Sequence, residues 1–178
     1  MKLKNELQFV DKKGEIYFIR PILPSDKAHL KNGFSKLSTA SIRQRFHFAK
    51  KDFTEHELIN FTEVDQQTHL ALVAYQKISN IDQLLPMGVI RGIKSTHDNT
   101  LEIALTVIDE FQQRGLGKKL IEVLYLKARA LNFEGFRGEV QKSNDAMILL
   151  LKNFSINRAY FQKISIDHDL FEIIMTFY

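Results

Sequence analysis

The chain has 178 residues, is 44% hydrophobic and 26% charged, and carries a formal net charge of +4, the profile of one globular domain that needs no staples. It has no cysteine, which excludes disulfides, cysteine-based zinc sites and cysteine nucleophiles. Its 25 Lys and Arg are dispersed among 21 Asp and Glu, too mild a balance to indicate a nucleic-acid partner.

The six histidines form no HExxH or similar pair, so no metal is expected. No run approaches the ~20 apolar residues of a membrane helix. The opening MKLKNELQFVDKKG has no apolar stretch of signal-peptide length. A cytoplasmic protein with no membrane partner is the expectation. Residues 1–14 carry no structural signal and read as an N-terminal extension to a single domain over 15–178.

EIYFIRPI (15–22) is β-branched and aromatic and reads as a strand closed by Pro21 and Pro24. Ser25 and Asp26 can cap a helix to about Leu37. A polar STAS turn and a short segment, IRQRFHF, follow; Arg43, Arg45 and His47 alternate there with apolar residues, as acceptor-side surface or as core with exposed charges. Thr54 and Glu57 match a capping box for a helix to about Val64. Glu63 and Asp65 read as a solvated loop or as an attraction for a basic acceptor.

Strands are expected at 69–77, 87–93 and 101–108 as an antiparallel meander. In the last, LEIALTVI, Leu101, Ile103, Leu105 and Val107 share one face and Glu102, Ala104 and Thr106 the other. A helix spans about Gly115–Leu131, where Leu116, Leu120, Leu124 and Ala128 recur every four residues. A strand at 136–140 should run parallel to the 101–108 strand after this crossover. A short helix, Asn144–Asn153, and a hairpin of 158–164 with 170–177 around Ile166-Asp167-His168-Asp169 close the chain.

The chemistry concentrates in QQRGLGKKL (112–120), where two glycines precede the long helix. A helix N-terminus offers free N–H groups and partial positive charge to a phosphate, and glycine lets the backbone approach it. The P-loop pattern fails, since Gln112 stands where its first Gly belongs and Lys119 where Ser or Thr belongs. The dinucleotide pattern fails at Leu120. A plain loop-to-helix turn remains the alternative.

The pattern [QR]-x-x-G-x-[GA], present as Gln112-Gln113-Arg114-Gly115-Leu116-Gly117, resembles the acetyl-CoA motif of the GNAT (Gcn5-related N-acetyltransferase) superfamily. GEVQKSNDAM resembles the segment with the family's cofactor-contacting Asn, here Asn144, and IRPILPSD its first strand and helix cap. LSTASIRQRFHF before HLALVAY is similar to the bacterial protein-lysine acetyltransferases. The likeness spans about residues 15–154.

The resemblance implies an α/β (α+β) fold, a mixed, mostly antiparallel sheet of six to seven strands flanked by helices, with the 101–108 and 136–140 strands splayed for the cofactor. It implies acetyl-CoA as cosubstrate and no metal. The backbone of Leu105–Val107 would hold its pantetheine arm, and the amides from Gln113 through Arg114, Gly115, Leu116 and Gly117 to Lys118, with Gln112 and Asn144, its remaining groups. Glu102 matches the strand carboxylate that serves as base, or is a surface Glu. The Tyr that serves the family as acid would fall at Leu151; Tyr125 and Tyr160 are remote. The acceptor would be a protein lysine or a small amine. Family members often dimerise, so a homodimer is a further expectation. A non-catalytic CoA-binding domain and a basic nucleic-acid module are the rivals.

Overall fold

The computed structural model describes residues 6–78 and 84–178. Its strands form one sheet in the order β1 (Leu7–Val10), β2 (Ile16–Pro21), β3 (His69–Lys77), β4 (Leu84–Lys94), β5 (Thr100–Val107), β6 (Gly135–Gln141), β8 (Leu170–Phe177) and β7 (Ala159–Ser165). Every neighbouring pair is antiparallel except β5 with β6, which the helical crossover makes parallel. The mixed, mostly antiparallel sheet agrees with expectation, and its eighth strand among the described residues is β1.

That strand lies in the stretch without sequence signal. Four residues give too short a pattern to read, and only pairing with β2, Leu7↔Ile19 through Val10↔Ile16, defines it. The hairpin turn is organised by Asp11, whose Oδ1 accepts from the Lys13 and Glu15 amides at 2.8 and 2.9 Å. Arg114, far along the chain, donates to Glu15 at 2.9 Å and pairs with Asp11 at 3.5 Å. The hairpin is thereby clasped onto the glycine loop.

Among the described residues five α-helices flank the sheet: α1 (Lys27–Ser35), α2 (Thr39–Phe46), α3 (Glu55–Thr62), α4 (Leu116–Ala130) and α5 (Asp145–Ser155). The predicted capping box is present, with the Glu57 amide donating to Thr54 Oγ1 and the Thr54 amide to Glu57. Leu120, Ile121, Leu124 and Ala128 of α4 are fully buried among Ile90, Leu101, Phe136 and Met175 of the sheet. The other face, under α1–α3, is roofed by Phe34, Phe46, Phe53 and Phe61, with ring centroids 4.7 Å apart for Phe34–Phe53 and 5.4 Å for Phe53–Phe61.

Helix α2 corrects the reading of a STAS turn and a loose segment. Ser38 is its N-cap, accepting from the Ser41 amide at 3.2 Å. Asp109, which precedes α4, receives the Ser38 amide and the Ser38 and Ser41 hydroxyls at 2.6–3.0 Å. Burial alone would raise the Asp109 carboxyl, but these donors hold it below the ordinary range. A partner 71 positions away in sequence fixes this helix, which local periodicity cannot reveal.

Candidate active site

The β5–β6 ladder has only three pairs, Thr100↔Gly135, Leu101↔Phe136 and Glu102↔Arg137. On its other side β5 stays paired to β4 as far as Val107↔Gly88. Beyond Glu102, therefore, one edge of β5 has no ladder partner among the described residues, and β6 leaves it to pair with β8 through Gln141. The wedge so opened is a groove of about 830 Å³. Its wall is β5 from Glu102 to Val107, and Gly115, Gly117 and Lys118 close one end.

Helix α4 starts where the groove needs donors. Gln113 (φ 61°) and Gly115 (φ 90°) both take left-handed backbone, which turns the chain abruptly into the helix. The first helical bond is Lys119 N–H to the Gly115 carbonyl at 3.2 Å. Among the described residues, the amides of Gln113 through Lys118 donate to no protein acceptor. Free amides with a helix dipole behind them favour an anion.

Gly117 serves a tighter purpose than clearing space for a ligand. A Cβ there would lie 3.3 Å from Leu150 and 3.4 Å from Leu105, so its bareness lets α4 sit against β5 and α5. Gly115 is open at that position, with its nearest neighbour, Lys12, at 3.8 Å. Its requirement is the positive φ.

The site residues read from sequence divide into two sets. Glu102, Leu105, Val107, Gln112, Gln113, Gly115, Gly117, Lys118 and Asn144 all line the groove. The side chains of Arg114 and Leu116 do not: Arg114 faces the N-terminal hairpin, and Leu116 is core. Any part these two play at the groove falls to their amides. The Gln112 carboxamide donates to the Val107 carbonyl at 3.1 Å and to Ser41 Oγ at 3.3 Å, bracing the loop against β5 and α2. Asn144 is the N-cap of α5, accepting from the Met147 amide at 3.1 Å.

Glu102 is exposed, at the last paired position before the strands part. It shares with Ala104 and Thr106 the face toward α2, while Leu105 and Val107 face α4. Among the described residues no tyrosine lines the groove. Leu151 is buried, Tyr160 is exposed on β7, and Tyr125 packs edge-on to Phe154 and Phe177. Asp65 caps a turn, accepting from the Gln67, Thr68 and His69 amides at 2.8–2.9 Å, and Glu63 pairs with Lys27 at 3.0 Å. Neither reaches the groove.

Two basic residues at the groove, Lys12 and Arg158, carry no signal in the sequence. Lys12 arrives on the unsuspected hairpin, its amide bonded to the Arg114 carbonyl at 3.1 Å. Arg158 follows α5 and lies 3.8 Å from Glu122. Arg45, one of the alternating charges of the IRQRFHF segment, lines the groove as well. Together with Lys118 these residues make the rim basic, suited to a polyanion.

The parting strands and the free amides at the start of α4 thus meet in one groove. The model of the Acetyltransferase (GNAT) family matches residues 37–155, and the chain belongs to that family. It is 31% identical over 136 residues to "Acetyltransferase Pat" of Mycolicibacterium smegmatis, covering 75% of this chain and 39% of that protein. The chain thus spans about two fifths of that relative's length. Among solved structures, the GNAT domain of S. lividans PAT superposes with a TM-score of 0.82 at 21% identity, covering 96% of each chain. Salmonella typhimurium yncA, solved with its cofactor acetyl-CoA, gives 0.65 at 17% identity over 89% of this chain and 91% of that one. Among the described residues no helix is long and apolar enough to cross a membrane.

Proposed function

We propose that the chain is an acetyl-CoA-dependent N-acetyltransferase in which a primary amine, on a small molecule or a protein lysine, attacks the thioester directly. The observation that carries this is that Gln113, Gly115, Gly117 and Lys118, whose amides bond to no protein acceptor among the described residues, line the groove beside the unpaired edge of β5. Those donors fit a pyrophosphate, and a bare strand edge fits a chain of amides. CoA supplies both, with the activated acetyl group at its far end.

In this reading β5 from Leu105 to Val107 holds the pantetheine arm as an added strand would be held, and Lys12, Lys118 and Arg158 favour the phosphates. A lysine amine has a pKa near 10.4 in water and must lose a proton before it can attack. Glu102 accepts that proton, directly or through water. The amine nitrogen bonds to the carbonyl carbon, the C–S bond breaks, and the thiolate departs. A thiol with a pKa of about 8.5 leaves without a strong acid, which accommodates a groove that no tyrosine lines among the described residues.

Calorimetric titration with acetyl-CoA and CoA tests the donor site, and no binding up to millimolar ligand would falsify the reading. Gly115→Ala is expected to weaken CoA binding about tenfold, because left-handed backbone costs an L-residue ~1–2 kcal/mol and relaxing it turns the amides away. Unchanged affinity in this variant would show that the cradle does not hold the cofactor. That no tyrosine among the described residues lines the groove also favours a second reading, a CoA-binding domain without turnover. Thiol release in the presence of an amine and peptide panel separates the two.

A further inference from the structure

A smaller cavity, about 80 Å³, lies between the sheet and α1–α3. Arg45, Phe46 and Thr106 line both it and the groove, so the two adjoin where α2 meets β5. Arg91 of β4 lies in this cavity, directly across the ladder from Ala104. Glu102 is paired with the second residue after Arg91, Ile93.

Arg91 is only 4% exposed, yet its partners are neutral. One terminal nitrogen reaches the Phe61 carbonyl at 3.4 Å and His69 Nε2 at 3.2 Å, and the guanidinium lies 4.4 Å from the Phe61 ring centroid. Arg20, Arg114, Arg137 and Arg158 all have carboxylate partners. Among the described residues, neither Arg91 nor Arg45 has a carboxylate within 4.0 Å. Arg45 is half-buried, resting 4.9 Å from the Phe46 ring centroid.

The charges around the pair do not cancel it. Arg20 and Asp26, in the same cavity, neutralise each other through two hydrogen bonds of 2.6 and 2.7 Å. Burial and the Arg91 charge push the His69 imidazole down, so it adds no charge at neutral pH. Burial and the like charge of Arg45 push Arg91 itself down to about 9. Burial pushes Arg45 down as well, and the exposed Glu102 opposes this without touching it. A buried guanidinium without a counter-charge is costly, and a ligand anion relieves it.

We infer that Arg91 and Arg45 bind a carboxylate of the substrate beside the reacting end of the groove. Guanidinium and carboxylate match in geometry, and the bond gains strength away from water. This inference rests on the transferase reading, with two sources for the carboxylate. It belongs either to the acyl group of the donor, as in succinyl-CoA, or to the amine acceptor, as in an amino acid or an acidic peptide.

The test compares kcat/KM for matched pairs that differ by the carboxylate. Succinyl-CoA against butyryl-CoA reads the donor arm, and glutamate against glutamine, or glycine against glycinamide, reads the acceptor arm. The wild type should prefer the carboxylate member of one arm by about tenfold or more. The preference should fall to within about twofold in Arg91→Gln, and to an intermediate value in Arg91→Lys and Arg45→Gln. Arg45→Gln, at a half-buried site, keeps the test open should Arg91→Gln fail to fold. Parity within every pair, with acetyl transfer intact, would overturn the inference while leaving the transferase standing. A preference that survives in both Arg91→Lys and Arg45→Gln would overturn it too. Calorimetry with succinate and glutamate on the cosubstrate-free protein decides the case in which nothing turns over. Millimolar binding lost in Arg45→Gln supports the anion site even if CoA does not bind, and no binding refutes it.

Discussion

Glu102→Gln is expected to lower acetyl transfer at neutral pH by about 10²–10⁴-fold while CoA affinity changes little. The side chain is exposed, so the substitution removes a proton acceptor without leaving a hole or an orphaned partner. It projects from the last residue pair of the parallel ladder, where β5 and β6 begin to part. In the proposed mechanism an amine entering from the α2 side meets this carboxylate as it reaches the groove. The cradle proposed for the phosphates lies at the start of α4, at the other end of the unpaired edge, which is why binding and turnover should separate. Steady-state rates with isothermal titration on the same preparations check this. Full turnover in Glu102→Gln, with cofactor binding unchanged, would show that another group takes the proton.

Asp26→Ala is expected to destabilise the fold by about 3–5 kcal/mol, well beyond the ~1 kcal/mol that breaking an exposed ion pair costs. Asp26 is 1% exposed and Arg20 4%, and they meet in a bidentate pair. Truncating Asp26 leaves the Arg20 guanidinium buried with, among the described residues, the Pro21 carbonyl at 2.9 Å as its remaining hydrogen-bond acceptor. It also frees the Leu23 amide, which Asp26 accepts at 2.8 Å at the entrance to α1. The pair sits under α1 on the cavity side, so its loss loosens the wall that faces Arg91. Urea unfolding of the two proteins at pH 7 measures the difference, and a loss under 1 kcal/mol would show that Arg20 finds water or another acceptor.

The same pair sets an acid limit. Burial would raise the Asp26 carboxyl, but Arg20 and the Leu23 amide outweigh burial and hold it below the usual carboxylate range. A group depressed in the folded state contributes stability that is complete above its unfolded value near 3.9 and fades as pH falls through the folded value. Urea unfolding midpoints should therefore fall below about pH 4 in the wild type. They should be flatter there in Arg20→Met/Asp26→Leu, a double variant that replaces the pair with apolar bulk and should be near neutral at pH 7. An equal acid slope in both proteins would place the acid sensitivity elsewhere.

Some features were legible because one segment contains the whole cause. The strand at 69–77 follows from a continuous apolar run, the 101–108 alternation from period two, α4 from leucines every four residues, and α3 from a local capping box. The glycine motif was legible for a similar reason, since Gly115 needs its φ of 90° wherever the chain goes. Other features have their cause in a distant residue. β1 exists through its pairing with β2, and α2 through Asp109. Arg114 illustrates the limit within the motif itself: its position is readable, but its side chain is spoken for by Asp11 and Glu15.

Local chemistry along the chain dictates most of the helices and strands from β2 onward, the glycine turn into α4, and the family resemblance those features carry. Each rests on backbone preferences and periodicity within a few consecutive residues. Packing in three dimensions fixes the rest: where the β5–β6 ladder ends, which amides are left free, and that Arg45 and Arg91 line one cavity without a counter-charge among the described residues. Those properties depend on which partner each group fails to find, and a missing partner is a fact about space rather than about neighbours along the chain.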